Sequence, residues 1–306
     1  MNIIGRKYIF LSFSGLLVLG SVAALSLWGL RLGIDFTGGS LLEVEFSGRY
    51  PSAEAMRESV AKLDIGTVAI QPTGERGAIL RFRHVDEPTH REILVRLAAR
   101  DQEVPGFAEK GGLVGKRFDT IGPTIGGELR RRALAALGLA IAVIILYIAL
   151  AFRHVSKPVS SWKYGIVAVA ALIHDVLIPA GVFSLLGRFN GVEVDALFIT
   201  ALLTILGFSV HDTIVVFDRT RENLRVQKRP EPYADTVNRS VNETLTRSVL
   251  TSLTVLFVLA AIFFFGGAST QYFVLALIIG VVFGTYSSIF VASPLLVIWN
   301  SLTEKP

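Results

Sequence analysis

The sequence lacks cysteine and is poor in charge, since charged residues make up only 18% of its 306 positions. Without cysteine the chain forms no disulfide, has no thiol nucleophile and holds no metal through thiolates. Apolar residues instead make up 52% of the chain, and the charges fall in short clusters between long uncharged stretches. A soluble domain of this length is less apolar. The composition therefore predicts an integral membrane protein.

The formal net charge is +5, and a basic balance can indicate a nucleic-acid partner. Here most of the basic residues lie in short loops beside apolar segments, which is typical of the cytoplasmic loops of membrane proteins. The basic residues are therefore interpreted as a topology signal, and no nucleic-acid partner is predicted.

Six apolar segments are long enough to cross a bilayer, because a helix needs about 20 residues to span the hydrocarbon core. They cover residues 8–30, 133–152, 165–187, 194–217, 248–265 and 272–299. The first follows Arg6 and Lys7, as the apolar part of a signal peptide would. Its run of about 20 residues is too long for one and has no small-residue cleavage site, which favours an uncleaved anchor.

Lysine and arginine are concentrated in loops on one side of the predicted spans. These basic residues are Arg6, Lys7, Arg153, Lys157, Lys163, Arg219, Arg221, Arg225, Lys228, Arg229, Arg239 and Arg247. The short loops on the opposite side contribute only Arg188, and the charges of the long segment 31–131 are about balanced. Because the basic loops stay in the cytoplasm, both termini are predicted to be cytoplasmic.

The predicted organisation has four parts. Residues 1–30 form the first transmembrane helix, 31–131 an extracytoplasmic domain, 132–299 transmembrane helices two to six, and 300–306 a cytoplasmic tail. Within the outer domain, alternating apolar residues predict strands at 41–46, 67–71, 78–82 and 117–121. Helices are predicted at 52–63 and 88–99, with a turn at 72–74. This β-α-β-β-α-β order predicts an α+β, ferredoxin-like unit, and its residues offer no catalytic cluster.

Two glycine-rich stretches, at residues 33–40 and 122–128, flank the outer domain. Glycine permits tight turns and close backbone packing. Neither stretch has the spacing or the basic residue of a phosphate-binding loop. Structural joints between the outer domain and the membrane are favoured over a ligand site.

Ionisable residues inside the spans are the strongest functional signal. Asp212 lies in the fourth span, about 9 Å from its middle at about 1.5 Å per residue. A charge there costs roughly 2.5–3.5 kcal/mol on insertion scales, so it should face protein or water and have a partner. Arg247 opens the fifth span at a similar depth, and an Asp212–Arg247 pair is weighed against an arginine that snorkels to the interface. His211 lies on a different stripe of the fourth helix from Asp212, and this stripe forms a polar seam that also contains Thr200, Thr204 and Gly207.

The third span carries a second dyad, His174–Asp175, near its middle. The candidate proton relay therefore comprises Asp212, Arg247, His211, Asp175 and His174. Two His–Asp dyads could instead hold a metal. The protonatable interpretation is favoured, because the surroundings are apolar and no glutamate or third histidine is nearby. Gly280 and Gly284 of the sixth span form a small-xxx-small pattern that predicts close helix packing.

Four stretches resemble the SecF family of bacterial protein-export membrane proteins. They are GIDFTGGS at 33–40, IGPTIGGEL at 121–129, GFSVHDTIVVFDRTREN at 207–223 and GTYSSIF at 284–290. Their order and spacing extend the resemblance over nearly the whole chain. It implies a six-helix half of an RND-type transporter in the bacterial cytoplasmic membrane.

The resemblance also implies partners and roles. The partners are a SecD-like subunit, indirectly SecYEG and SecA, and preprotein substrates. The resemblance implies no cofactor and no enzymatic reaction. It implies that the energy source is the proton gradient, or a sodium gradient in some marine bacteria. Asp212 is implied as proton carrier and Arg247 as its relay. The implied coupling of the outer domain to the membrane rests on the glycine motifs, whose residues are Asp35, Gly38, Gly39, Gly122, Pro123 and Gly126.

Two residues depart from the family pattern. His211 stands where the family commonly has asparagine, and Tyr272 stands where many members have an aspartate.

Two rival functions remain open. One rival is an RND-type exporter of lipids or small molecules, which would need both transporter halves. The other is an intramembrane aspartyl protease using Asp175 and Asp212, although its Gly-x-Gly-Asp pattern is missing.

Overall fold

A computed structural model describes residues 1–46, 52–73, 76–102, 113–151, 161–227 and 231–303. Four of the basic loop residues, namely Arg153, Lys157, Lys228 and Arg229, lie outside the described residues, as does Gly74 of the predicted turn. Two compact units are present, one formed by residues 1–31 and 135–306 and the other by residues 32–134.

Long helices dominate the first unit. The helices of the chain are α1 Lys7–Trp28, α2 Ile34–Thr37, α3 Ala53–Val60, α4 Glu87–Gln102, α5 Pro123–Ala151, α6 Ser161–Asn190, α7 Ala196–Val226, α8 Tyr233–Phe265, α9 Ala268–Ser287 and α10 Ser293–Thr303. A π-helical segment, Ser288–Ala292, joins α9 to α10. Among the described residues, six helical spans are long and apolar enough to cross a membrane, which confirms the six predicted.

Several helices extend beyond the apolar spans that the sequence defines. Helix α8 begins at Tyr233, although the apolar run begins near residue 248, and α7 continues to Val226. The extra turns are polar, and they form regular helix because hydrogen bonding along a helix does not require an apolar side chain at every position. Hydropathy locates only the part that fits the bilayer core.

Helices α6, α7 and α9 bury larger shares of their spans than α1, α5 and α8 do. Close approach of these inner helices depends on small residues. A side chain at Gly181 of α6 would meet the Ser21 Cα of α1 at 2.5 Å. A side chain at Gly280 of α9 would overlap Ile205 of α7, and one at Gly284 would lie 3.2 Å from the Ser209 Cβ. The packing predicted for Gly280 and Gly284 is thus placed against α7.

The second unit contains a four-stranded antiparallel sheet with the order β2-β3-β1-β4. Its strands are β1 Gly39–Glu45, β2 Ala69–Thr73, β3 Gly77–Phe82 and β4 Val114–Ile121. Alternation along β1 buries Leu42 and Val44 in a core that Met56 of α3 and Ile93 of α4 share. The order of elements confirms the ferredoxin-like α+β unit.

One local prediction in this unit is wrong. Pro72 and Thr73 were expected in a turn, but they belong to β2, where Pro72 pairs with Ala78 and Thr73 with Gly77. Strand β2 lies at an edge of the sheet. An edge strand tolerates proline because the missing backbone N–H can face away from the ladder.

Candidate functional site

Asp212 of α7 is only 8% exposed and is held by hydroxyl groups from two other helical segments. Its Oδ1 accepts a hydrogen bond from the Ser248 Oγ of α8 at 2.5 Å, and its Oδ2 accepts one from the Ser288 Oγ at 2.7 Å. Each carboxylate oxygen therefore has a neutral hydroxyl donor. This arrangement satisfies the carboxyl group without a counter-charge.

Asp175 of α6 has no exposed surface, and a second set of polar side chains surrounds it. Its Oδ1 pairs with the Nδ1 of His174 at 2.8 Å. Its Oδ2 accepts hydrogen bonds from the Ser209 Oγ of α7 and from the Ser287 Oγ of α9, the latter at 2.7 Å. The third-span dyad predicted from the sequence is therefore an assembled cluster with donors from three helices.

The two clusters meet at the junction of α9 with the π-helical segment. Ser287, the last residue of α9, binds Asp175, and the next residue, Ser288, binds Asp212. A π-helical turn within an α-helix is rare and is frequently found at functional sites. Here it occurs where adjacent serines reach carboxylates on two different helices.

The Asp212–Arg247 ion pair, which the sequence left open against a snorkelling arginine, does not form in this structure. No salt bridge joins these two side chains within the described ranges, and Arg247 is exposed. The physical reason is the rotational setting of α8, since adjacent residues differ by about 100° around a helix. Ser248 faces Asp212 in place of Arg247. The relay role of Arg247 stays a prediction.

His211 does not join Asp212 in one site. It is exposed and lies on the same side of α7 as Thr200, Thr204 and Gly207, which are also exposed. The two threonine hydroxyls donate to carbonyls of their own helix, those of Ala196 and Thr200. The polar stripe predicted for the fourth span therefore faces away from the two carboxylate clusters.

A metal site would need several ligands in one place. In the ranges that the structure describes, no group of three or more histidine, cysteine or carboxylate side chains has a metal-binding arrangement. Asp175 and Asp212 are each bound by their own serines, and no hydrogen bond between the two carboxylates occurs among these residues. Each carboxyl group therefore has its own set of hydrogen-bond donors, and the two do not form one shared dyad.

The serines of the two clusters are not among the site residues predicted from the sequence. They are Ser209, Ser248, Ser287 and Ser288. The available signal was the position of Ser209 three residues before Asp212 and of Ser248 directly after Arg247, but these spans also contain several other serines and threonines.

The two glycine-rich stretches contact each other within the second unit. Gly38 and Gly39 have φ values of +73° and +134°, a region that side chains disfavour. A Cβ at Gly38 would lie 2.6 Å from the Pro123 Cα, and a Cβ at Gly126 would lie 2.6 Å from the Gly38 backbone nitrogen. Asp35 lies in the short helix α2 just before this contact. The start of α5 is thus seated directly on the first glycine motif.

We expect Gly126→Ala to loosen this contact, while Gly127→Ala should not. The methyl group at residue 126 would press on the backbone of Gly38, whereas one at residue 127 has no atom within 4 Å. Overpacking against backbone typically costs about 1–3 kcal/mol. Hydrogen exchange of the full-length protein should show faster exchange at residues 33–40 in the first variant only. Equal exchange in the two variants would contradict the packing role of Gly126.

Comparisons with known proteins agree with these motifs. Residues 108–302 match the family described as "Protein export membrane protein SecD/SecF, C-terminal", and residues 29–48 match the one described as "SecD/SecF GG Motif". A "Protein translocase subunit SecF" of Thermobaculum terrenum is 44% identical, with 98% of this chain and 94% of that protein covered. Another of the same name, from Vibrio alginolyticus, is 37% identical, with 92% and 84% covered.

A solved structure is also similar over nearly the whole chain. It is described as SecDF, a translocon-associated membrane protein, from Thermus thermophilus, with 33% sequence identity and a TM-score of 0.81. The match covers 98% of this chain but only 39% of the SecDF chain. A second structure, SecDF in a super-membrane-facing form, gives a TM-score of 0.67 at 34% identity.

Proposed function

Since this chain belongs to the SecF family of protein-export membrane proteins, we propose that it is a Sec translocation subunit that promotes preprotein export with a SecD-like partner. Relatives that align over nearly their whole length are called translocase subunits, which supports this function. The chain spans 39% of a solved SecDF chain, and the rest of such a chain would correspond to the partner subunit. SecYEG and SecA would be reached indirectly through this complex.

The proposed location is the bacterial cytoplasmic membrane, with both termini in the cytoplasm and residues 31–131 outside. The charge asymmetry of the loops supports this orientation, because Arg6, Lys7 and Lys163 lie on the side opposite to Arg188. Preproteins emerging from the translocon would then meet the ferredoxin-like unit.

The proposed energy source is the proton gradient, with Asp212 as the group that binds and releases protons. The observation that carries this proposal is that Asp212 is buried in a span and bonded to neutral hydroxyls. A hydroxyl both donates and accepts, so Ser248 and Ser288 can satisfy either the carboxylate or the carboxylic acid. An ion pair with arginine would instead hold the carboxylate in its ionised form. The subunit would thus need no cofactor and would catalyse no covalent reaction.

Arg247, His174 and Asp175 complete the proposed relay within the chain. Arg247 would join the relay in a conformation in which α8 turns its exposed side toward α7. Protonation would be transmitted to the outer unit through the glycine motifs that contain Gly38 and Gly126. His211, on the exposed stripe of α7, would contribute only if a partner helix covers it.

The deciding experiment measures preprotein export into membrane vesicles under imposed proton or sodium gradients of equal size. Vesicles that contain this chain, its SecD-like partner, SecYEG and SecA should export severalfold faster with the proton gradient. Vesicles that lack only this chain are the control and should not respond. Export that follows the sodium gradient alone would show that the coupling ion is wrong, and export that ignores both gradients would contradict energy coupling.

The same vesicles separate the rival RND-type exporter from a translocation subunit. An exporter of small molecules would pair with a second copy of itself to supply both halves, and it would transport without SecYEG. Gradient-dependent export that disappears when the SecD-like partner is left out would favour the translocation subunit.

A further inference from the structure

We propose that His174 and Asp175 form a second proton-binding site whose protonation is coupled to that of Asp212 through Ser287 and Ser288. This inference rests on the proposed function, in which Asp212 carries protons, and it adds a second carrier to the same bundle. Its basis is the hydrogen-bond geometry around the two carboxylates and the position of the two serines on one turn.

Asp175 is deeply buried, and its hydrogen-bond partners in the described part of the chain include no arginine or lysine. Its partners are two serine hydroxyls and the imidazole of His174, which is itself 4% exposed. A buried carboxylate beside a neutral imidazole is costly in its ionised form, and a proton taken up by either group of the dyad removes that cost. The dyad therefore has the composition of a site that changes its proton content.

Both serines have a second acceptor within reach, which allows each carboxyl group to change protonation state. The Ser287 Oγ lies 2.7 Å from Asp175 and 3.1 Å from the carbonyl oxygen of Gly284. The Ser288 Oγ lies 2.7 Å from Asp212 and 3.0 Å from the carbonyl oxygen of Thr285. When a carboxyl group is ionised, its serine donates to it. When the carboxyl group is protonated, the serine accepts from it and donates to the backbone carbonyl instead.

Two short connections couple the clusters. Ser287 and Ser288 are adjacent residues at the start of the π-helical segment, so a shift of that turn alters both hydrogen bonds. Ser209 binds Asp175 and lies one helical turn before Asp212 on α7. Carboxylates that interact in this way titrate in steps that belong to the pair and not to either group alone.

The titratable groups that contact the dyad are limited. Within the described residues, the charged or titratable side chains facing His174 and Asp175 are each other and Tyr286 of α9, whose ring lies 6.3 Å from the His174 ring. From α7 the contact is the Ser209 hydroxyl, and Tyr286 donates to the Phe10 carbonyl of α1. The Nε2 of His174 is buried and has no hydrogen-bond partner among the described residues. It is the position through which a proton could enter or leave the dyad.

Infrared difference spectra of the full chain with its partner, in lipid vesicles, test the proposal as pH is changed. Protonated carboxyl groups absorb separately from ionised ones, so the wild type should show two buried carboxylic acids. Asp175→Asn should remove one band and Asp212→Asn the other. Each substitution should also shift the midpoint of the remaining band by about one pH unit, because coupled groups change each other's titration.

Two serine variants extend the test, one at the Asp175 cluster and one as a control. Ser287→Ala should shift the frequency of the Asp175 band, since the protonated carboxyl group loses the hydroxyl oxygen that accepts its hydrogen bond. Ser184→Ala removes a buried α6 serine that donates to the carbonyls of Ala24 and Gly29 instead, and it should leave both bands unchanged. If Asp175→Asn removes no band, the second site does not exist. If Asp175→Asn fails to fold, the Ser287→Ala variant tests the second site instead, and an unchanged Asp175 band there would contradict it. If the midpoints do not move, the coupling is wrong. The infrared spectra measure protonation, whereas the vesicle experiment measures export. A failure of the proposed proton-driven export is therefore distinguishable from a failure of the second proton-binding site.

Discussion

Replacing Asp212 with asparagine is expected to abolish the proton-dependent part of preprotein export while leaving the protein assembled in the membrane. Asparagine has the same shape as aspartate, so its oxygen can still accept the hydrogen bond from Ser248. Its amide can donate to the Ser288 oxygen, whose own hydrogen can turn to the Thr285 carbonyl at 3.0 Å. The packing should survive, but the side chain no longer binds or releases a proton near neutral pH.

The measurement compares export rates with and without an imposed proton gradient. A matched control is Asp218→Asn on the same helix, because Asp218 is 71% exposed and pairs at 3.4 Å with Arg221 three residues along. Asp218 is the exposed member of this pair, and ion pairs at the protein surface contribute little, so this control should keep its response to the gradient. Co-purification with the SecD-like partner verifies assembly of both variants. A full response to the gradient in the Asp212 variant would rule out Asp212 as the proton carrier.

The outer unit shows what local sequence patterns can predict. Leu42 and Val44 of β1 and Phe46 just after it are buried in the core, while Glu43 and Glu45 lie on the other face, as their alternation predicts. A strand with one buried face has its side-chain directions set by a period of two residues. The six spans are equally accessible to prediction, because long apolar runs cannot remain in water.

The partners of Asp212 could not be predicted in the same way. An intramembrane carboxylate demands a partner, but which residue of α8 provides it depends on how two helices are rotated against each other. Arg247 and Ser248 are neighbours in sequence, and only packing decides which of them faces α7. Complementary charge favoured the arginine, whereas the structure uses the smaller hydroxyl, which fits between closely packed helices.

The π-helical segment also could not be predicted from the sequence pattern. Its residues, Ser288–Ala292, are apolar or small and would continue a regular α-helix on propensity alone. Only the positions of Asp175 and Asp212 on two other helices explain why consecutive serines of this turn both bind carboxylates. Contacts that involve three helices at once are decided by tertiary packing, and a single sequence does not encode them locally.

Gly280→Val is expected to destabilise the membrane bundle, and Ile205→Ala should restore much of the lost stability. Any side chain at residue 280 overlaps Ile205 of α7, which is 1% exposed and has no room to withdraw. Overpacking of this kind typically costs about 1–3 kcal/mol, whereas swaps that conserve total volume are tolerated best. The double variant should therefore be more stable than the sum of the single effects predicts.

Gly207→Ala is the matched control, because a methyl group there has no atom within 4 Å and lies on the same helix as Ile205. Alanine is a better helix former than glycine by about 0.8–1.0 kcal/mol, so this control should be neutral or slightly stabilising. Titration with a denaturing detergent would give the free energy of unfolding for all four variants. If Gly280→Val and Gly207→Ala unfold alike, the close contact between α7 and α9 does not hold the bundle together. If the double variant is no better than Gly280→Val, Ile205 is not the side chain that residue 280 must avoid.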